Sequence, residues 1–356
     1  ELYRLRPQAC ALPGFYLAIS AGGVIGGLFV VFAAPLLFAT YAEYRFGLLV
    51  CCLLALVAGR PHTARRLPAW GWAVSAIAAG VLVAWFERIG LRAIAVERSF
   101  YGALAVREQR HAGDQVRFRE LRHGGTRHGL QLQDERTRRM PTAYYGTSSG
   151  VGRILAPAAE RGRRIGVIGL GVGTLATYAS PLDTVRFYEL DPGVERLARA
   201  WFTYLADCRG SVEMVSGDAR IRLATEVDQA FDVLVVDAFS SDAIPMHLLT
   251  VEAFALYRRH LAPGGVLCVH VSNRHLDLVP VVRGGARALR WDCAAVVDDG
   301  DAEDWWLHQS VWMLLIEDRR QFTDPALREL FPPLSATALP VNPWTDDRAS
   351  LLSALR

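Results

Sequence analysis

Two different apolar patterns divide this chain near residue 90. The first is unbroken: no charged residue stands between Pro7 and Ala42. Residues 12–39 alone would form about 42 Å of helix at 1.5 Å per residue, more than the ~30 Å of bilayer hydrocarbon. Pro35 predicts a kink or an end, and Gly22, Gly23, Gly26 and Gly27 form two overlapping GxxxG pairs of the kind that let helices approach closely in lipid. Residues 67–86 are also free of charge, with Trp70 and Trp72 near one end and Trp85 and Phe86 at the other, the placement of interface belts. Between them, residues 46–59 are short for a span and equally readable as a re-entrant or tilted element. Residues 1–90 therefore predict a helical region of two or three membrane segments, too long and too repeated for a signal peptide.

The second pattern is interrupted and periodic. Residues 87–98 read as a charged linker or short helix, which sets a boundary near residue 98. Residues 100–107 and 115–122 alternate in part and flank a turn at 111–114, so a small β-hairpin module is predicted over 98–146. From Arg164 onward, apolar runs at 165–168, 185–190, 212–215, 233–236, 266–271, 294–297 and 311–316 predict seven strands. One intervening helix is well marked: Val194, Leu197, Ala198, Trp201, Phe202 and Leu205 recur at helical spacing. Strands alternating with helices predict a parallel, doubly wound α/β sheet over residues 147–356.

Composition narrows the chemistry. All 39 basic residues are arginine, which strikes out lysine nucleophiles and Schiff bases. A formal charge of +3 without a clustered basic face argues against nucleic acid. The six cysteines form no CxxC pair and the nine histidines no HExxH-like spacing, so no metal is expected.

Three stations on successive strand ends point to a nucleoside. Gly169, Gly171 and Gly173 form a GxGxG loop after the first strand of the sheet, where backbone can come close to a ligand at the start of a predicted helix. Glu189 ends the next strand, placed to accept both ribose hydroxyls. Asp218, after the third, is placed to accept the adenine amino group, and it equally suits a helix N-cap. An NAD site shares the glycine loop and the acid, but its loop is GxGxxG and it has no use for the Gly217-Asp218 station.

With these residues in view, the chain resembles the spermidine synthases. Ser99-Phe100-Tyr101-Gly102, the run from His123 to Gln131, Tyr144-Tyr145, Glu189-Leu190-Asp191-Pro192 and the run from Asp237 to Asp242 carry the likeness. It is closer still to the bacterial membrane-fused spermidine synthase-like proteins, whose N-terminal part is a transporter-like helix bundle. Gly22 to Gly27 and Glu43-Tyr44 fit the last portion of that bundle. The resemblance implies transmembrane helices, then a small β-subdomain packed on a seven-stranded methyltransferase-like (Rossmann-like) catalytic domain, and decarboxylated S-adenosylmethionine as aminopropyl donor to a polyamine or other amine. The attacking amine must first be neutral, which with a pKa near 10 costs about 4 kcal/mol at neutral pH, so a carboxylate at the strand end that takes the proton and aims the nitrogen would help. Asp237 is the expected base, and Asp242 the expected holder of a diamine's distal ammonium. Tyr144 or Tyr145 would wall the pocket and hydrogen-bond the amine, while Gln131 or His128 would contact the nucleoside or the donor's amine.

Two places depart from the family pattern: the loop from Asp237 to Asp242 has no proline directly after Asp242, and the glycine loop differs at one position. The glycine loop of spermidine synthases carries an aspartate for the donor's amine, and here Val172 stands there. Intact S-adenosylmethionine and a methyltransferase reaction therefore stay open, as does a polyamine-sensing domain of a transporter. The acidic-aromatic run 298–306 suits attraction of a polycation or a solvated loop, and Trp344 to Asp347 resembles the family tail and reads as a capped helix start. A homodimer is expected from the family. An inner (plasma) membrane location is expected, with the catalytic domain cytoplasmic because the adenosyl-sulfonium donor is a cytoplasmic metabolite. If residues 46–59 cross the membrane, the arginine distribution would instead place that domain outside.

Overall fold

A stretch with no polar relief can satisfy its backbone only internally, and in the computed structural model it does so as one long helix. The structure describes residues 7–58, 80, 93–157, 161–239, 244–301, 303–322, 325–331 and 343–355, without the side chains of 52, 53 and 55–58. The chain forms two compact units, residues 1–107 and 108–356.

In the first unit, α1 (Leu12–Leu28) passes through a π-helical turn (Phe29–Ala33) into α2 (Ala34–Leu37). The expected break at Pro35 is therefore a π-bulge, in which the wider turn takes up the place of the missing proline N–H. The continuous run Ala9–Leu37 has 29 residues and mean hydropathy 2.2, and is the one helix among the described residues long and apolar enough to cross a membrane. The short segment at 46–59 lies within α3 (Ala42–Ala58), of 17 residues. The segment at 67–86 lies outside the described residues apart from Gly80.

The start of α3 is tied down. Arg98 Nη1 and Nη2 donate to the two carboxylate oxygens of Glu43 at 2.9 and 2.6 Å. Arg98 belongs to β1 (Ala93–Ser99), which pairs antiparallel with β2 (Gly102–Arg110). The expected linker at 87–98 thus ends in a strand, because pairing with β2 outweighs the local preference of Ala93 to Ser99.

In the second unit, β3 (Arg117–His123) and β4 (Thr126–Leu132) form an antiparallel hairpin closed at Gly124, whose φ of 57° suits a tight turn. β4 had no counterpart in the sequence pattern. The seven strands of the main sheet are β5 (Arg164–Ile168), β6 (Thr184–Glu189), β7 (Ser211–Ser216), β8 (Phe231–Val236), β9 (Leu261–His270), β10 (Asp292–Asp298) and β11 (Ser310–Ile316). All seven fall on the predicted runs, in the order β10-β11-β9-β8-β5-β6-β7. β11 corrects the parallel expectation, since it runs antiparallel to both β9 and β10. Among the described residues the connection from β10 to β11 holds no helix, and a link this short reaches only an antiparallel neighbour. This is a Rossmann-like methyltransferase-fold sheet.

Helices α4 (Gly150–Leu155), α5 (Pro192–Trp201), α6 (Ala219–Thr225), α7 (Val251–His260), α8 (Val279–Ala288) and α9 (Pro325–Glu329) accompany it. Phe254, Tyr257 and Trp291 fill the core with one set of strand residues, and Phe187, Val167 and Trp312 with the other. The chain order reverses at β5, which has β6 on one side and β8 on the other. In sheets of this kind, ligands bind beyond the strands' carboxyl ends at such a reversal.

Candidate active site

The carboxyl end of β5 is where three backbones meet. Gly169 adopts φ 98°, and a Cβ there would lie 2.5 Å from the carbonyl oxygen of Asp237. Gly171 adopts φ 55°, and its Cβ would lie 2.7 Å from the carbonyl oxygen of His128. Conformation and space both require glycine here. The loop leads into a five-residue 3-10 turn, Thr174–Tyr178, with Gly173 (φ 85°) at its start. The expected α-helix is absent at this point. A single 3-10 turn offers little of the aligned N–H dipole that a pyrophosphate would use, which favours a nucleoside without phosphate over a dinucleotide.

Glu189, ending β6, is bound to that loop: one carboxylate oxygen accepts Leu170 N–H and the other Asp191 N–H, both at 2.9 Å. Burial pushes its carboxyl up to about 7 despite these two donors. At the end of β7, Asp218 caps α6 by accepting Ile221 N–H at 3.0 Å, and its other oxygen lies 3.2 Å from His247 Nε2. Neighbouring Arg220 is held by Asp346, with Nη1 to Oδ1 at 2.8 Å, and Thr250 donates to the same oxygen at 2.8 Å. The tail motif is therefore a clamp on the start of α6, with Trp344 4% exposed in the core, and not a helix start.

Asp237 follows β8. Its Oδ2 accepts the Tyr145 hydroxyl at 2.5 Å, and its Oδ1 lies 2.6 Å from His270 Nδ1. Burial first, and then the charge of Asp237, hold the Tyr145 phenol well above its usual range, so it stays a donor. His270, at the end of β9, was not singled out from sequence. The parallel register Val236↔Val269 carries Asp237 and His270 to the same level, so pairing β8 with β9 was the signal that could have found it.

Tyr144 turns its ring toward His270 (5.1 Å between centroids) and His308 (5.4 Å). Both tyrosines are set by a backbone bridge in which Ala143 N–H donates to Trp306 O at 2.6 Å and His308 N–H to Ala143 O at 2.8 Å. His308 Nε2 accepts from Arg127 at 3.2 Å, and Arg127 donates at 2.7 Å to the fully buried Glu120. Burial, followed by the Arg127 charge, lowers His308 to about 4, so it is neutral at ordinary pH.

The remaining sequence candidates divide. His128 contributes the carbonyl beside Gly171, and its ring lies 5.6 Å from that of His123. Gln131 is 1% exposed; its amide donates to Arg138 O and Thr203 Oγ1 and accepts Thr203 N–H, so it fastens the 203 loop. There α5 has ended at Trp201, and Phe202 and Leu205 are buried in a loop, short of the predicted helix. Asp242 lies outside the described residues. Trp305 of the acidic-aromatic run is engaged with the hairpin turn, stacked 4.2 Å from His111 and donating to Asp114 at 2.9 Å. Val172 is 1% exposed, and a Cβ on Gly129 would lie 2.6 Å from its Cγ2.

No family model matches the chain. It is 30% identical over 148 residues to a protein of Bifidobacterium longum named "Probable polyamine aminopropyl transferase", covering 40% of this chain and 31% of that one. It is also 30% identical over 142 residues to the "Polyamine aminopropyltransferase" of Vibrio vulnificus, covering 38% of this chain and 46% of that one. The chain thus spans less than half the length of these two curated relatives. A solved structure described as a probable spermidine synthase of Corynebacterium glutamicum matches with a TM-score of 0.47 at 21% identity, over 60% of this chain and 76% of that one. By sequence, about two fifths of the chain is similar to these polyamine aminopropyltransferases.

Proposed function

We propose that the protein is a membrane-anchored aminopropyltransferase, moving an aminopropyl group from decarboxylated S-adenosylmethionine to a di- or polyamine. The observation that carries this reading is Asp237 at the carboxyl end of β8, its carboxylate pinned by Tyr145 and His270 beside the glycine loop. In this reading Gly169, Gly171 and Gly173 let the nucleoside lie against backbone, Glu189 takes the ribose hydroxyls and Asp218 the adenine amino group. His128 and Gln131 border the donor side, and Asp242 holds the distal ammonium of the acceptor. The neutral amine nitrogen attacks the methylene next to the sulfonium; the new C–N bond forms as the C–S bond breaks, and neutral methylthioadenosine leaves. The surplus amine proton passes to Asp237 and on to water, and the Tyr144 and Tyr145 rings keep the amine in line.

Residues 98–146 serve in this reading as the small β-subdomain before a catalytic domain of 147–356. The helix Ala9–Leu37 supports anchoring, at the inner membrane with the catalytic domain cytoplasmic, and the working form is a homodimer. The test is release of methylthioadenosine by the purified protein from decarboxylated donor over a panel of amines. Release that depends on amine supports the reading, and none with any amine removes it.

A second reading has one observation in its favour. Val172 is packed against Gly129 where the resemblance has an aspartate, so the loop offers no carboxylate to the donor's ammonium. A charge-assisted bond is thereby lost, and intact S-adenosylmethionine would be accepted for methyl transfer. Tighter binding of the intact donor than of the decarboxylated one would select this reading.

A further inference from the structure

We infer that His270 is the positioning residue for Asp237, fixing the direction of its carboxylate through a hydrogen-bonded line from Val311 to Tyr145. The inference rests on Asp237 being the group that meets the amine, as proposed above. The Asp237 carboxylate can only accept, so His270 Nδ1–H donates to its Oδ1 at 2.6 Å. In that tautomer Nε2 is the acceptor nitrogen, and it takes the Ser272 hydroxyl at 2.8 Å while Ser272 Oγ accepts Val311 N–H, also at 2.8 Å. With the Tyr145 hydroxyl on Oδ2, each carboxylate oxygen carries one donor, and rotation about the carboxyl bond is blocked.

The imidazole itself has little freedom. It is 3% exposed and stacked on Trp312 with centroids 4.4 Å apart and planes 9° from parallel; the Phe239 ring lies at 4.9 Å and the Tyr144 ring at 5.1 Å. Among the described residues its facing groups are therefore Asp237, the Ser272 hydroxyl, the Tyr144 ring and two hydrocarbon-rich rings. A ring merely filling space would not have both nitrogens satisfied by partners that select one tautomer. Because β9 brings His270 and Ser272 along one strand end, and β11 brings Val311, a rigid sheet sets the aim of Asp237.

Three variants and one spectrum test this. His270→Phe keeps the stack on Trp312 but removes both nitrogens, and is expected to lower kcat roughly 10- to 100-fold, the usual effect of losing an outer orienting partner, with KM for the amine nearly unchanged. His270→Asn, whose amide can donate from close to the Nδ1 position, is expected to restore most of that loss. Ser272→Ala is expected to lower kcat less than His270→Phe. Equal kcat in His270→Phe and wild type, or a loss that His270→Asn does not recover, overturns the inference. The spectrum is the imidazole nitrogen resonance of isotope-labelled His270: the Nδ1–H neutral tautomer is expected, replaced by a mixture in Asp237→Asn. If the protein transfers no aminopropyl group, the proposed reaction falls, and the spectrum alone then decides whether His270 is coupled to Asp237; a resonance indifferent to Asp237→Asn overturns that coupling.

Discussion

Glu189, proposed to take the ribose hydroxyls, is the residue whose ionisation gives that proposal a test. In the free protein burial raises its carboxyl to about 7. A carboxyl raised on folding stabilises the fold at low pH, and that contribution is lost as pH rises through about 7, where the buried group must ionise. Ribose hydroxyls donating to the carboxylate reverse the preference, so binding should release a proton. Methylthioadenosine, which has no titrating group in this range, is the suitable probe. Its affinity should weaken roughly tenfold on going from pH 8 to pH 6, and Glu189→Gln should bind more weakly and lose the pH dependence; equal slopes in the two proteins, measured by calorimetry, would refute the role. His308 contributes nothing to that slope, since at about 4 it stays neutral throughout. Asp237 was legible in the sequence because the run from Asp237 to Asp242 carries the family resemblance. His270 was not, because it lies inside the apolar run 266–271 and acquires meaning only through the register of β8 against β9.

At the scale of elements, apolar periodicity located all seven strands but could not give their direction. β11 reads exactly like its neighbours along the chain, and only the helix-free link from β10 makes it antiparallel. Helix lengths were less legible where side chains intervene. The repeat from Val194 predicted a helix through Leu205, yet it ends at Trp201, where Thr203 N–H donates to Gln131 Oε1 instead of continuing the helix. The tail motif from Trp344 gains its meaning from contact with α6 and α7, which no local pattern records. Asp346→Ala removes the partner of Arg220 and Thr250. The pair is partly exposed and screened, so the loss should be about 1 kcal/mol or less, a fall in melting temperature of roughly 2–4 °C for a unit of this size. A fall above 10 °C on a thermal melt would mean that the tail carries more of the fold than this clamp.

For the molecule as a whole, the apolar run Ala9–Leu37 sets the expectation that the protein stays with the membrane pellet after alkaline carbonate washing. Extraction into the wash would show that the helix only lies against lipid or protein. The central claim concerns the reaction, and the most direct measurement is methylthioadenosine release from decarboxylated S-adenosylmethionine by the wild type and by Asp237→Asn, each with a panel of di- and polyamines. The account predicts release that requires an amine, and a fall of roughly 10²- to 10⁴-fold in kcat in Asp237→Asn with donor affinity nearly unchanged. Release at an undiminished rate by Asp237→Asn, or none by the wild type with any amine, would contradict it.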